Sequence, residues 1–116
     1  MGLHSEDEVS GYKPRPIWSF DERLAIVKAC WLADEVVDTP VPLHCTVEPL
    51  DAIGANFVGH GDDMTADQQA YWYGAVIPSG RFRSVPYTAG ISSREIVSRI
   101  IGRCNAGTLM EKPLSA

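Results

Sequence analysis

The chain has 116 residues, 45% of them hydrophobic and 22% charged, a balance that fits one globular domain and excludes a disordered polymer. Its formal net charge of −5 at pH 7 argues against non-specific binding to nucleic acid or to an anionic membrane, because both call for basic patches. A local anion site is still compatible with that charge.

Met1–Glu8 is acidic and has no apolar run of the signal-peptide kind. No stretch reaches the ~20 apolar residues of a membrane span, so a cytoplasmic chain without a transmembrane segment is expected. Gly11-Tyr12-Lys13-Pro14-Arg15-Pro16 reads as an extended loop, since each proline disfavours helix at the residue before it. A helix follows, with Ser19 as N-cap and Glu22 completing a capping box. Leu24, Val27, Cys30 and Trp31 recur at helical spacing and predict a buried face. Glu35-Val36-Val37 reads as a strand that Pro40 and Pro42 end. Residues 46–53 suit a short helix, with Gly54 at its carboxyl end. Asn56–Gly59 is the second predicted strand, and His60-Gly61-Asp62-Asp63 the polar turn beyond it. Residues 64–79 fit either a short helix or a packed loop.

Arg81–Val85 alternates with period two and predicts a third strand, ended by Pro86. The last helix has the clearest start, with Ser92 as N-cap, Glu95 as its partner and Ile91 with Ile96 as a hydrophobic staple. Ile96, Val97, Ile100 and Ile101 supply its apolar face, and Gly107 lies beyond its end. Helices alternating with strands favour an α/β sheet with parallel strands. The domain is expected over 1–104, followed by a loose tail over 105–116. Cys30, Cys45 and Cys104 are widely spaced, without CxxC or zinc-site spacing, and read as free thiols in a reducing compartment.

Ligands of open α/β sheets bind beyond the carboxyl ends of strands, and two segments qualify. One is His60-Gly61-Asp62-Asp63. The other is Tyr87–Ser93, which leads into a helix N-terminus where free N–H groups and the dipole favour an anion. Small hydroxyl residues there can donate to phosphate, Gly90 permits close backbone approach, and Arg94 adds charge. An ordinary capped helix is the alternative. Lys13 is a candidate phosphate contact on a mobile loop, or else a solvated lysine. His60 suits a ligand contact or a structural hydrogen bond better than a metal site, having no second histidine at ligand spacing. Asp62 and Asp63 suit magnesium or merely shape the turn. Trp18 and Trp31 read as packing residues. No protein-bound metal site is expected.

The order of several segments resembles a known family. They are Gly2-Leu3-His4-Ser5 with Glu8-Val9, Tyr12-Lys13, Ser19–Arg23, Ala29–Val37, Phe57-Val58-Gly59-His60-Gly61-Asp62-Asp63, Gly80-Arg81-Phe82-Arg83 and Thr88-Ala89-Gly90-Ile91-Ser92-Ser93, together spanning about residues 2–103. The chain resembles the eukaryotic CTP:phosphoethanolamine cytidylyltransferases, members of the HxGH nucleotidyltransferases, over the carboxyl-terminal part of their catalytic domain. The resemblance implies an incomplete doubly wound, Rossmann-like parallel sheet. It implies attack of a phosphoethanolamine oxygen on the α-phosphorus of CTP, with magnesium, to give CDP-ethanolamine and pyrophosphate. Lys13 is then the catalytic residue, Thr88, Gly90, Ile91, Ser92 and Ser93 hold the triphosphate, and His60, Gly61, Asp62 and Asp63 line the substrate pocket.

The chain also departs from the family. The glycine-rich turn and HxGH helix have no counterpart among His4, His44 and His60. Tyr87 replaces an arginine, Trp31 another, and Pro14 a glycine. Activity of this chain alone is therefore not expected. A non-catalytic nucleotide- or phosphate-binding remnant, or an interaction subunit, is the alternative. In the family's sheet the missing strand is central, so its loss would expose unpaired backbone groups. Poor folding in isolation is expected, unless a homodimer or another chain supplies the missing strands.

Overall fold

Most of the α-helices among the described residues begin where a Ser or Thr hydroxyl accepts from one of the first free N–H groups. The structure is a computed structural model that describes residues 1–112, in one unit spanning Met1–Val85 and a second beginning at Pro86. Of the tail expected over 105–116, residues 113–116 lie outside the described residues.

In the first unit, α1 (Glu6–Ser10) begins at Ser5, whose hydroxyl accepts from the Glu8 N–H at 3.2 Å. Its first turn is wholly acidic, which complements the helix dipole. This one-and-a-half-turn helix has no apolar period to announce it. Helix α2 (Phe20–Ala29) forms as predicted, with the Ser19–Glu22 capping box closed in both directions. Helix α3 (Val47–Ala52) occupies the predicted 46–53 stretch, and Gly54 follows it at φ 72°. The ambiguous 64–79 stretch contains α4 (Ala66–Tyr73), started by a second reciprocal capping box between Thr65 and Gln68. Gly74 caps the end of α4 and must be glycine, because a Cβ there would stand 2.3 Å from the Ala70 carbonyl oxygen.

Strands β1 (Val58–Gly61) and β2 (Phe82–Val85) form a two-stranded parallel sheet, with Val58 opposite Phe82 and Gly61 opposite Val85. The parallel sense agrees with the alternation read from sequence, and the mixture of helix and strand fits a partial α/β fold. One boundary is corrected. His60 and Gly61 lie inside β1 rather than in a turn after it, because β2 continues to offer partners as far as the Val85 carbonyl, which accepts from the Asp62 N–H at 2.9 Å.

The strand expected at Glu35–Val37 is also corrected, since these residues join neither β1 nor β2. Their backbone pairs instead with the chain's first residues. The Met1 amine donates to the Glu35 carbonyl at 2.6 Å, and the Val37 N–H donates to the Met1 carbonyl at 2.9 Å. That exchange is the parallel pattern. The Val41 N–H then donates to the Leu3 carbonyl at 2.8 Å.

Only Leu50 and Val76 are buried apolar side chains among the described residues. The burial predicted for α2 fails at Cys30, which is exposed, and at Trp31, which is 87% exposed; Leu24 and Val27 are half-buried. Two short strands present too little sheet face to cover such helices. Arg81 does much of the joining. Its Nε and Nη2 donate to the carbonyls of Asn56 (3.0 Å) and Ala55 (2.5 Å), and its Nη1 to Asp51 Oδ1 (2.7 Å). The end of α3, the start of β1 and the start of β2 thereby share one guanidinium.

In the second unit, a turn at Gly90 (φ 85°) leads into α5 (Ser93–Asn105). The Ser92 hydroxyl accepts from the Glu95 N–H at 3.2 Å, so half of the expected capping box forms. The Glu95 carboxylate lies 4.0 Å from Arg99 Nε rather than closing the other half. No residue of α5 is buried, so the burial predicted for Ile96, Val97, Ile100 and Ile101 is not realised. Among the described residues of this unit no second helix or strand closes over the stripe. Gly107 follows α5 at φ 73°.

Candidate functional site

The candidate residues fall into three groups. Parallel pairing of β1 and β2 places His60, Gly61, Asp62 and Asp63 at the shared carboxyl end of both strands, where α/β sheets bind ligands. His60 Nδ1 stands 2.9 Å from the Gly61 carbonyl oxygen. A carbonyl only accepts, so Nδ1 carries the proton of this hydrogen bond. Asp63 Oδ1 lies 4.0 Å from the same ring nitrogen, and the Tyr73 ring packs beside the imidazole with 5.8 Å between centroids. The aspartate pair is thus anchored at both ends, Asp62 through its backbone to β2 and Asp63 beside His60.

Lys13 lies just beyond α1, with its N–H donating to the Val9 carbonyl at 2.9 Å. Its ammonium sits 5.2 Å from the centroid of the Tyr12 ring. Tyr12 in turn packs on Trp72 at 5.0 Å, and His44 packs on Trp72 at 4.9 Å and Tyr71 at 4.7 Å. This aromatic cluster was not foreseen from sequence. Its members come from three separate segments, and the only local signal was the run Tyr71-Trp72-Tyr73. Lys13 therefore belongs with α4's aromatics.

The third group, Thr88, Gly90, Ile91, Ser92 and Ser93, belongs to the second unit. Nothing within 4 Å would meet a Cβ on Gly90, so its backbone angle, rather than crowding, calls for glycine. Ser92 accepts from Glu95 and still has its own O–H to donate. The N–H groups of Ser93 and Arg94, ahead of the capped one, remain without intrahelical partners, as at any helix start. Together they form a small donor array at the positive end of a 13-residue helix.

For magnesium, the donor chemistry is thin. Among the described residues no group of three or more His, Cys, Asp or Glu is placed to hold a metal ion. The Asp62–Asp63 pair alone suits a magnesium ion only if substrate phosphates and water fill the other positions, which is the ion's usual habit.

Two titratable groups are displaced. Burial pushes the Cys45 thiol up, with Arg81 opposing it. Burial also pushes the Tyr73 phenol up, reinforced by Cys45 and Tyr12. Both line a cavity of about 530 Å³ that also touches Leu50 and β1.

No protein-family model matches the chain. Individual proteins do. The ethanolamine-phosphate cytidylyltransferase of Dictyostelium discoideum is 35% identical over 103 residues, which is 87% of this chain and 28% of that protein. The chain is a relative of the ethanolamine-phosphate cytidylyltransferases. The Mus musculus protein of that name is 32% identical over 102 residues, covering 87% of this chain and 25% of its own length. The Saccharomyces cerevisiae protein is 31% identical over 101 residues, covering 86% and 31%. This chain spans between a quarter and a third of the length of these cytidylyltransferases. No helix among the described residues is long and apolar enough to cross a membrane.

Proposed function

We propose that the chain is a cytoplasmic, partial cytidylyltransferase domain with a doubly wound, Rossmann-like ancestry, which binds the phosphates of CTP and does not turn over by itself. The similarity to ethanolamine-phosphate cytidylyltransferases carries the reading. In the complete reaction a phosphate oxygen of phosphoethanolamine attacks the α-phosphorus of CTP. The bond to the β-phosphate breaks, giving CDP-ethanolamine and pyrophosphate.

The residues here divide the work by their chemistry. Ser92 and Ser93, with the N–H groups at the start of α5, suit the triphosphate, and Thr88 adds a hydroxyl ahead of the Gly90 turn. Lys13 supplies a mobile positive charge for a phosphate that has entered. His60 Nε2, held by the Nδ1–Gly61 bond, and Asp63 suit the phosphoethanolamine side, where a carboxylate complements an ammonium. Magnesium would arrive with CTP and neutralise charge on its phosphates. The chain contains no HxGH pair to stabilise the leaving pyrophosphate, hence the expected lack of turnover.

A second reading, a non-catalytic phosphate-binding subunit, is favoured by one observation. Trp31, standing where the resemblance calls for arginine, is 87% exposed, so packing does not explain the change. Two assays on the 116-residue chain test both readings. Calorimetry with Mg·CTP should give saturable binding, and formation of labelled CDP-ethanolamine should stay at background. Turnover would overturn the inactive reading, and absent CTP binding would overturn the phosphate site.

A further inference from the structure

The ring cluster around Trp72 ends on Lys13, and the order of its contacts gives the cluster a task. The backbone of residues 12 and 13 is already fixed. The Tyr12 and Lys13 N–H groups both donate to the Val9 carbonyl in the last turn of α1, at 3.2 and 2.9 Å. Pro14 narrows the backbone of Lys13 further. What is left to place is the side chain. Its charge rides on a flexible four-carbon stem, so an unsupported ammonium spreads over many positions. Here it sits 5.2 Å from the centroid of the Tyr12 ring, within the range in which a ring face attracts a cation.

Tyr12 is itself 43% exposed and needs a support to keep its ring in one place. Trp72 supplies it, with 5.0 Å between the ring centroids. The indole in turn is held where α4 ends. The Cys45 N–H donates to the Trp72 carbonyl at 3.0 Å, and His44 Nδ1 meets the Tyr71 carbonyl at 2.9 Å. The imidazole also packs on the indole, 4.9 Å between centroids. His44 and Cys45 thus cover two of the carbonyls that a helix leaves unpaired at its carboxyl end. The next residue, Tyr73, packs on His60 and on Phe82 of β2, at 5.8 and 4.9 Å. Two consecutive side chains of α4 therefore lead, by ring contacts, to Lys13 on one side and to His60 on the other.

We propose that Trp72 is a positioning residue for Lys13: it holds the Tyr12 ring, and that ring keeps the ammonium in a narrow region from which it meets a phosphate of CTP. The role of Trp72 rests on the assignment of Lys13 to a CTP phosphate and deepens it by naming what aims the charge. The hold of a half-exposed ring on a cation is weak beside a charge-assisted bond to phosphate, so it directs the ammonium without retaining it. Trp72 touches no ligand in this scheme. Its effect passes through Lys13 alone, which sets it apart from a residue that merely fills space. Replacing the indole by an aliphatic side chain removes an aromatic pair, and roughly three- to tenfold weaker CTP binding is expected.

The test is a double-mutant cycle on the 116-residue chain, read by calorimetry with Mg·CTP. Lys13→Ala should weaken binding, and Trp72→Leu should weaken it by the fold-change above. In the Lys13→Ala chain, Trp72→Leu should change CTP affinity no further. Trp72→Phe keeps a ring and should retain most of the affinity. Tyr12→Leu, at an exposed loop position, should repeat the Trp72→Leu pattern, and it decides alone if Trp72→Leu does not fold. In the free chain the Lys13 ε-methylene protons should be shifted upfield by the Tyr12 ring, and that shift should shrink in Trp72→Leu. Equal losses from Trp72→Leu in both backgrounds would show that the indole supports the fold rather than Lys13. That result, or unchanged affinity in Trp72→Leu, overturns the positioning role and leaves the CTP assignment of Lys13 intact. Absent CTP binding by the parent chain, or affinity that Lys13→Ala leaves unchanged, overturns that assignment and the positioning role with it.

Discussion

Replacing Arg81 with alanine removes three hydrogen bonds that reach residues 25 to 30 positions away. The bonds differ in worth. The Asp51 carboxylate is 65% exposed, so that ion pair contributes at most about 1 kcal/mol. The carbonyls of Ala55 and Asn56 accept from a charged donor whose side chain is only 22% exposed, and such bonds contribute about 1.5–3 kcal/mol each before non-additivity. Arg81→Ala should therefore destabilise the first unit by about 2–4 kcal/mol. Asp51→Ala should stay below about 1 kcal/mol. Arg81→Lys keeps the charge but not the planar fork, and should behave more like alanine than like arginine. Urea unfolding followed by far-UV circular dichroism measures all three, and a 3 kcal/mol loss lowers the midpoint by roughly 1–3 M. Full stability in the lysine variant, or equal losses from Asp51→Ala and Arg81→Ala, would refute the claim that the backbone carbonyls dominate.

Ser92→Ala should cost α5 about 1 kcal/mol and weaken CTP binding, whereas Ser92→Asp should keep the cap and repel the phosphate. Calorimetry that finds Ser92→Asp binding CTP as well as the parent chain would remove α5 from the site. Gly74→Ala should destabilise the first unit by more than about 1 kcal/mol, because the new Cβ meets backbone at 2.3 Å; an unchanged urea midpoint contradicts this. Cys45 and Tyr73 are neutral when protonated and have raised pKa values, so the folded state holds those protons more tightly. Their contribution is complete below the ordinary thiol value of about 8.5 and is lost as pH rises through the raised ones. The thermal midpoint should decline above about pH 8.5, and a midpoint that rises there would reverse the sign. At pH 8, iodoacetamide should modify Cys45 more slowly than the exposed Cys30 and Cys104, as peptide mapping would show.

What the sequence conveyed well was local. Ser19 with Glu22 and the Ser92 start are one-turn signals, and each begins a helix where predicted. The Thr65–Gln68 box is the same kind of signal, and the aromatic run after it obscured the reading. Strand ends were less legible, because β1 extends through His60 and Gly61 on the strength of partners in β2, 24 positions away by register. Burial was misread for the same reason. A stripe such as Ile96-Val97-Ile100-Ile101 records what a helix is built to cover, and the described residues do not close over it. The candidate residues at α5 stand at the helix start where they were predicted, whereas His60 and Gly61 moved from the turn into β1. The placement of Lys13 among Tyr12, Trp72 and His44 was not legible, since it depends on segments far apart in sequence.

The ties that hold the first unit share one property, which bears on how it forms. Met1 to Glu35, His4 to Val41, His44 to Tyr71 and Arg81 to Ala55 close separations of 34, 37, 27 and 26 residues. Little within a single short stretch rewards the chain before those loops are shut, and each closure spends entropy first. Refolding after dilution from denaturant should therefore lie toward the slow end for so small a domain, with unpaired strand edges exposed throughout the wait.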